Sequence, residues 1–591
     1  MLSTQSFYIL FYRLWCHITL KRRKQSYLLL FLTILGSFAE VVSLGAIIPF
    51  ITIITEPNKT LNFPPIVYVI DMLELKIGGD LIIPITILFV ISCMISGLLR
   101  MILIWFSAKF ANATGADLSV KVYSQTLYQP YEAHLTRNSS DIISAMTQKT
   151  NIATIFLIAA INLFISLVIF VSIMLTLFFV DPMITIISAV IFGFSYLAIA
   201  NLTRHIVSRN SLMLALEQTR LIKLIQEGLG SIRDILLDGS QGIYSKAYHN
   251  SITKLQQGTS QNTFVVAAPR CIMETLAMTL IAILVIFVKY QSGNTGAILP
   301  LLGILAIVAQ RSLPLMQQIY GGWSTMLASR ASLADVLDLL DQSLNLYTTQ
   351  PKRKALALNK NIIFDDVCFR YSNKSSWALQ DVNFTIPKGS RVGIVGATGS
   401  GKSTLLDLLM GLLDPSQGQI LIDDKPLKLG HKVAWQRAIA HVPQSIFLAD
   451  ISIAENIAFG IPFEEIDLNR VRKAAQHAKI DEFIENQPEA YSALIGERGA
   501  RLSGGQRQRI GIARALYKKA RVLILDEATN ALDEKTEKEV MQEIQTSNPN
   551  ITIFIIAHRL STLKNCTQIL ELCEGKIKRI GTYNQIVDLT A

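Results

Sequence analysis

Gly396-Ala397-Thr398-Gly399-Ser400-Gly401-Lys402-Ser403-Thr404 sits between the apolar run Arg391–Val395 and the leucine-rich stretch 405–413. A strand that feeds a glycine-rich turn and then a helix is the context a phosphate-binding loop requires. Glycines let backbone N–H groups curl around phosphate oxygens, and Lys402 offsets the charge of the terminal phosphates. Ser403 offers its hydroxyl to Mg2+, while Thr398, Gly399, Ser400 and Thr404 complete the cradle.

A second apolar run, Val522–Leu525, ends in Asp526 and Glu527. Two carboxylates at the carboxyl end of a strand stand where open α/β sheets bind their ligands. Asp526 suits the Mg2+ shell. Glu527 suits the general base, because hydrolysis needs a proton acceptor in line with the terminal phosphate. Around these motifs, from about 360 to 591, strand-like and helical runs alternate, which predicts a soluble α/β domain.

The rest of the chain has a different texture. Mean hydropathy is +0.39, with 51% hydrophobic and only 17% charged residues, too apolar for an ordinary soluble protein of 591 residues. The excess falls in six stretches, about 27–55, 81–106, 152–180, 182–202, 263–289 and 296–326, each long enough to span a bilayer. A membrane domain over 1–340, a polar linker over 341–359 and the α/β domain over 360–591 follow.

Arg204, Arg209, Arg220, Lys223, Arg233, Lys246 and Lys254 crowd the connection after the fourth stretch, and Lys21, Arg22, Arg23 and Lys24 precede the first. The turns near Asp181 and from Gln291 to Thr295 carry no Lys or Arg, so both termini are expected in the cytoplasm. The first stretch is too long for a signal peptide and lacks a small-residue cleavage site. Ile66–Leu75, between the first two stretches, reads equally as a short surface helix or as an ordinary loop. The net charge of +11 lies beside apolar stretches rather than in one basic run, which argues against nucleic acid as a partner. The six cysteines show no metal or redox spacing.

Leu502-Ser503-Gly504-Gly505-Gln506 resembles the signature sequence of ATP-binding cassette (ABC) proteins, and further motifs of that family follow in order. Tyr371 looks like the aromatic that stacks on adenine. Gln444 resembles the glutamine that joins the Mg2+ site to the membrane part, with catalytic and metal contacts. Gly496-Glu-Arg-Gly499 is similar to the export-type loop before the signature, Ala531-Leu-Asp533 to the loop after the base, and His558 to the histidine on the γ-phosphate. Asn530 departs from the pattern, where serine is commoner, yet keeps a hydrogen-bonding side chain. The resemblance implies a type I exporter fold, with six membrane helices fused to an α/β P-loop ATPase that uses ATP and Mg2+. In that family Ser503, Gly504, Gly505 and Gln506 face the P-loop of a second subunit. One chain carries one of each, so a homodimer with two working sites is expected.

Substrate must be read from charges inside the apolar stretches, where they are costly unless paired or facing a cavity. Away from the ends of the stretches those charges are Glu40, Arg100, Arg270, Glu274 and Arg311. At 1.5 Å per residue, Arg100 and Arg270 lie roughly 30 Å and Arg311 roughly 23 Å from the outer ends of their helices, all in the inner half. Two readings stay open. The arginines form a ring for a diphosphate headgroup, or Arg270 and Glu274, one turn apart, neutralise each other while Arg100 snorkels to the interface. Gly36-Ser-Phe-Ala-Glu-Val-Val-Ser-Leu-Gly-Ala-Ile-Ile-Pro-Phe50 resembles the opening of bacterial lipid-linked oligosaccharide flippases of the PglK type. That resemblance implies ATP-driven flipping of a polyprenyl-diphosphate-linked saccharide, or a related glycolipid, across a bacterial plasma membrane. Export of a peptide, drug or other lipid is the alternative, and an ATP-gated channel or regulator is the alternative of another class.

Overall fold

The computed structural model describes residues 6–55, 82–180, 182–292, 298–342, 354–372, 375–557 and 559–587. His558, the connection around Ile66–Leu75, Asp181 and most of the 341–359 linker therefore lie outside the described residues. The chain divides into two compact units, Met1–Leu127 with Arg137–Ser343, and Tyr128–Thr136 with Leu344–Ala591.

The first unit is all helix. A short α1 (Phe7–His17) precedes α2 (Leu20–Thr55) and α3 (Ile82–Leu127). After α4 (Tyr131–Thr136), which clusters with the second unit, come α5 (Thr150–Val180), α6 (Pro182–Gly230), α7 (Gln241–Ser292) and α8 (Ile298–Leu340). Over its described residues each predicted apolar stretch falls within one of the six long helices, and most of these run well past it. The 49 residues of α6 would reach roughly 74 Å at 1.5 Å per residue, far more than a bilayer needs. Among the described residues, four helices are long and apolar enough to cross a membrane.

Side-chain chemistry changes along these helices. At one end charges pair across helices: Arg13 with Asp338 and Asp341 (both 2.6 Å), Arg22 with Asp117 (2.9 Å), and the buried Lys149 with Asp335 (2.5 Å). Elsewhere apolar residues and close approach hold the bundle. A Cβ on Gly322 of α8 would stand 2.9 Å from both the Ala159 carbonyl and the Leu163 Cβ of α5, so the absence of a side chain sets that spacing. Pro269 withholds the N–H that the Val265 carbonyl of α7 would accept. The Tyr320 hydroxyl of α8 donates to that carbonyl instead (3.2 Å), so the bundle itself satisfies the orphan.

The second unit carries two sheets. β1 (Asn361–Phe369), β2 (Leu379–Pro387), β4 (Gln417–Ile422) and β5 (Lys425–Pro426) form an antiparallel sheet in the order β2-β1-β4-β5. β3 (Arg391–Val395), β6 (Ile439–Val442), β7 (Val522–Asp526), β8 (Thr552–Ile556), β9 (Gln568–Cys573) and β10 (Lys576–Gly581) form the other, ordered β10-β9-β3-β8-β7-β6. All its pairings but β10 with β9 are parallel. β8 is buried at every position, as a strand covered on both faces must be. Between the sheets, Phe364 stacks on Phe384 (4.4 Å) in a core shared with α9 (Lys402–Leu409). β3 and β7 flank β8, so the P-loop and Asp526 leave the same edge of the sheet.

Candidate nucleotide site and membrane charges

The turn between β3 and α9 is built from glycines that nothing else can replace. Gly396 has φ +154°, and a Cβ there would meet the Leu572 carbonyl at 2.4 Å. Gly401 has φ +98°, and its Cβ would lie 2.8 Å from the Ala378 carbonyl. Backbone amides are therefore free to face a ligand. Thr398 and Gly399 are exposed on the turn, Ser400 is buried beneath it, and Ser403 is exposed at the first turn of α9. Lys402 Nζ donates to the Gly396 and Ala397 carbonyls (2.8 and 2.9 Å), which holds its charge across the mouth of the loop. Tyr371 is half exposed, edge-on to Phe369, and its hydroxyl is 2.9 Å from Thr404 Oγ1. That bond ties the predicted adenine platform to the P-loop helix.

Asp526 and Glu527 part company at the end of β7. Asp526 ends the strand, paired in register with Ile556, whereas Glu527 adopts φ +51° and turns out of the strand's alternation. Gln444 donates to Glu527 Oε2 at 2.6 Å, and Asn530 donates to the same oxygen at 3.2 Å. The hydrogen-bonding side chain that Asn530 keeps is thus spent on the candidate base, a role the sequence did not indicate. The Asp526 carboxyl is pushed above its usual range by burial and by the Glu527 charge, with Lys402 opposing. One turn into α9, the Asp407 carboxyl is pushed up to about 6 by burial and by Asp526. This crowding of carboxylates fits a divalent cation, which would relieve it. No cluster of three or more His, Cys, Asp or Glu forms a cage among the described residues. A cation held by Asp526 and Ser403, completed by phosphate oxygens and water, is the arrangement Mg2+ favours.

The signature segment folds into a separate device. Ser503 caps α10 (Gly504–Tyr517), accepting from Gln506 N (3.2 Å) while Gln506 Oε1 accepts from Ser503 N (2.8 Å). A Cβ on Gly505 would stand 3.0 Å from the Ala531 carbonyl, and Ala531 N donates to Gln508 (2.9 Å). Gly504 and Gly505 therefore pack on the turn after the base rather than on the P-loop of their own chain, and the exposed helix start is a ready phosphate site. Asp533 caps α11 (Glu534–Ser547) through Thr536 N (3.0 Å) and its hydroxyl (2.7 Å), and these bonds lower its pKa.

Motif reading passed over Arg514 and Asn456. Arg514, on α10, donates to the Asn456 carbonyl (2.8 Å), the Asn456 side chain (3.2 Å) and the Phe447 carbonyl (3.0 Å), and lies over the Phe459 ring. Asn456 is fully buried and bonds Ala449 through both its oxygen and its nitrogen. Together they pin the segment after Gln444 to the signature helix. The signal in sequence is a charged residue on an otherwise buried helix face, between Ile510 and Tyr517.

In the helical unit the three arginines do not form one ring. Arg270 is paired with Glu274 on its own helix (2.7 Å), both more than half exposed, which is the neutralising arrangement the spacing allowed. Arg311 instead donates to Glu40 Oε1, across from α8 to α2, and Ser96 of α3 donates to Glu40 Oε2. Glu40 is buried by these contacts. Arg100 and Arg311 line one cavity of about 70 Å³, with Glu40, Gly36, Leu103 and Ile169 in its wall.

Comparison with known proteins agrees with this architecture. A family described as ABC transporter matches residues 379–530. The chain is 31% identical over 519 residues to the ATP-dependent lipid A-core flippase of Saccharophagus degradans, spanning 84% of each chain. It is 28% identical over 577 residues to the heterocyst differentiation ATP-binding protein HepA of a Nostoc species, spanning 96% of this chain and 92% of that one. The match to the lipid A-core flippase of Alkalilimnicola ehrlichii, 32% identical over 371 residues, spans 62% of each, less than two thirds. Among solved structures, a bacterial Atm1-family ABC exporter with ATP bound superimposes with TM-score 0.76 at 21% identity, covering 96% of both chains. At that identity the likeness speaks for the fold.

Proposed function

We propose, for a chain that belongs to the ABC transporter family, that ATP hydrolysis in the cassette drives a glycolipid with an anionic headgroup from the inner to the outer leaflet. The observation that carries the substrate class is the cavity in the helical unit, where Arg100 stands beside Arg311 with no acidic partner of its own among the described residues. Arg100 is exposed at that cavity, and a guanidinium within an apolar span is costly unless a ligand or water meets it; a phosphate oxygen meets it best. A polyprenyl-diphosphate-linked oligosaccharide supplies that group. A phosphorylated lipid A-core glycolipid supplies it too, and the names of the Saccharophagus and Alkalilimnicola relatives favour this second candidate.

The working unit is a homodimer in a bacterial plasma membrane, with both cassettes in the cytoplasm. Each nucleotide lies between Lys402 and Ser403 of one P-loop and Ser503–Gln506 of the partner. Mg2+ supplies charge neutralisation on the phosphates when bound. Gln444 and Asn530 hold the Glu527 carboxylate so that it accepts a proton from the attacking water, a role worth about 10²–10⁴-fold in rate. Nucleotide binding closes the cassettes and hydrolysis resets them.

ATPase activity of the full chain in nanodiscs, titrated with each of the two glycolipids, tests the reading. Stimulation by at least one, weakened about tenfold in R100A while basal hydrolysis persists, is the expected result. Basal hydrolysis that ignores both lipids would return the substrate to the peptide, drug or other-lipid class.

A further inference from the structure

Among the described residues, Glu40 is the one carboxylate in the wall of the cavity that holds Arg100 and Arg311. Each of its oxygens has one donor from a different helix, Arg311 of α8 on Oε1 and Ser96 of α3 on Oε2. A pair with a purely architectural task would be packed in on all sides. Here the pair borders open space: a Cβ built on Gly36, one turn before Glu40, meets nothing within 4 Å. Arg100 lies one turn after Ser96 on the same face of α3. Pro314 withholds the N–H that the Gln310 carbonyl would accept, and both residues line the cavity. Two guanidiniums and one carboxylate leave the cavity with a single net positive charge, less than a diphosphate carries in the opposite sense.

We propose that Glu40 is an exchangeable counter-ion, a positioning and specificity-determining residue that holds Arg311 until a phosphate or diphosphate group takes its place. Binding breaks the Glu40–Arg311 link between α2 and α8, and release of the group restores it. Glu40 thereby weakens anion binding and speeds anion release, because the carboxylate competes for the same guanidinium at every cycle. A ligand able to engage Arg100 and Arg311 together displaces it, and an uncharged lipid does not. The inference deepens the glycolipid reading and rests on it for the biological source of the phosphate.

The test is a titration of E40Q, E40D and wild type in nanodiscs with polyprenyl-diphosphate oligosaccharide, following ATPase rate. E40Q should lower the half-stimulating concentration about tenfold and reduce the maximal stimulated rate severalfold, while E40D stays near wild type. A split of this kind, tighter binding with slower turnover, is not what loosened helix packing produces. An unchanged or raised half-stimulating concentration in E40Q would overturn the proposal.

A second arm separates it from the substrate assignment. Binding of farnesyl diphosphate and farnesol is measured in the K402A background, which removes the P-loop's own cation. Tighter farnesyl diphosphate binding in E40Q/K402A than in K402A, with farnesol unchanged, supports counter-ion exchange even if no glycolipid stimulates the wild type. Equal binding in the two overturns it even if one does. Inorganic pyrophosphate competing as well as farnesyl diphosphate would show that the site reads phosphate alone and would assign free phosphate compounds as the source.

Discussion

The nucleotide site and the membrane cavity both gather charge, yet they hold it in opposite ways. In the cassette, Lys402 leans on loop carbonyls, Asp526 and Asp407 crowd one another, and Glu527 is held by two amides. Among the described residues no carboxylate neutralises the lysine in a hydrogen-bonded pair, an arrangement that suits phosphate and metal. Of the three arginines in the apolar stretches, Arg311 and Arg270 each have a carboxylate already, and Arg100 has none among the described residues. A site that faces water can keep its charges unmatched, because solvent screens them. In the apolar bundle Glu40 already matches Arg311, which is given up only to a better partner.

The strongest way to break this contrast is at the base. E527Q keeps both amide contacts in reach but cannot take a proton, so hydrolysis should fall by about 10²–10⁴-fold while nucleotide still binds, read by phosphate release against nucleotide affinity. Next in size is R514A, which strands the Asn456 and Phe447 carbonyls inside the cassette. It should cost about 2–4 kcal/mol of cassette stability in a thermal melt. In the membrane cavity, R100A should weaken glycolipid stimulation about tenfold, and R270A, whose pair is exposed, should leave it within about twofold. Equal losses in the two variants would restore the three-arginine ring.

The smallest effect concerns pH. Asp407 has its pKa raised in the fold, so protonation favours the folded cassette. Its contribution is present below the ordinary carboxyl range and lost as pH rises toward 6. D407N should therefore stabilise the cassette above about pH 6 and make little difference near pH 4. A shift of this size would be worth up to about 3 kcal/mol if fully buried, and about 1 kcal/mol after discounting for partial exposure. Melting temperatures of both forms across that range check the sign.

How much was legible in sequence follows the same line. Gly396–Thr404, Asp526–Glu527 and Ser503–Gln506 could be read because each is local: a few consecutive residues fix turn, cap and charge together. The six apolar stretches could be read because a bilayer needs a fixed length of helix. The pairing of Arg270 with Glu274, a turn apart, was one of the two readings their spacing left open. By contrast the partners of Glu40 lie 56 and 271 positions away, and the Arg514–Asn456 bonds span 58. Only tertiary packing decides such pairs, and no local pattern encodes them. The raised pKa of Asp407 is of the same kind, since it depends on Asp526 arriving on another strand.

The short helix α4 draws one further consequence from the architecture. Tyr128–Thr136 belongs by its contacts to the cassette unit, and its Tyr131 phenol is raised by burial and then by the nearby Asp407 and Tyr371. Tyr131 is made 240 positions before Tyr371, which at bacterial rates of synthesis is a wait of roughly 10–50 s. During that interval a six-residue helix is too short to be stable alone, so α4 takes its final form only once the cassette is present. The order of birth along the chain is thus inverted at this segment, which is made long before the cassette residues it clusters with.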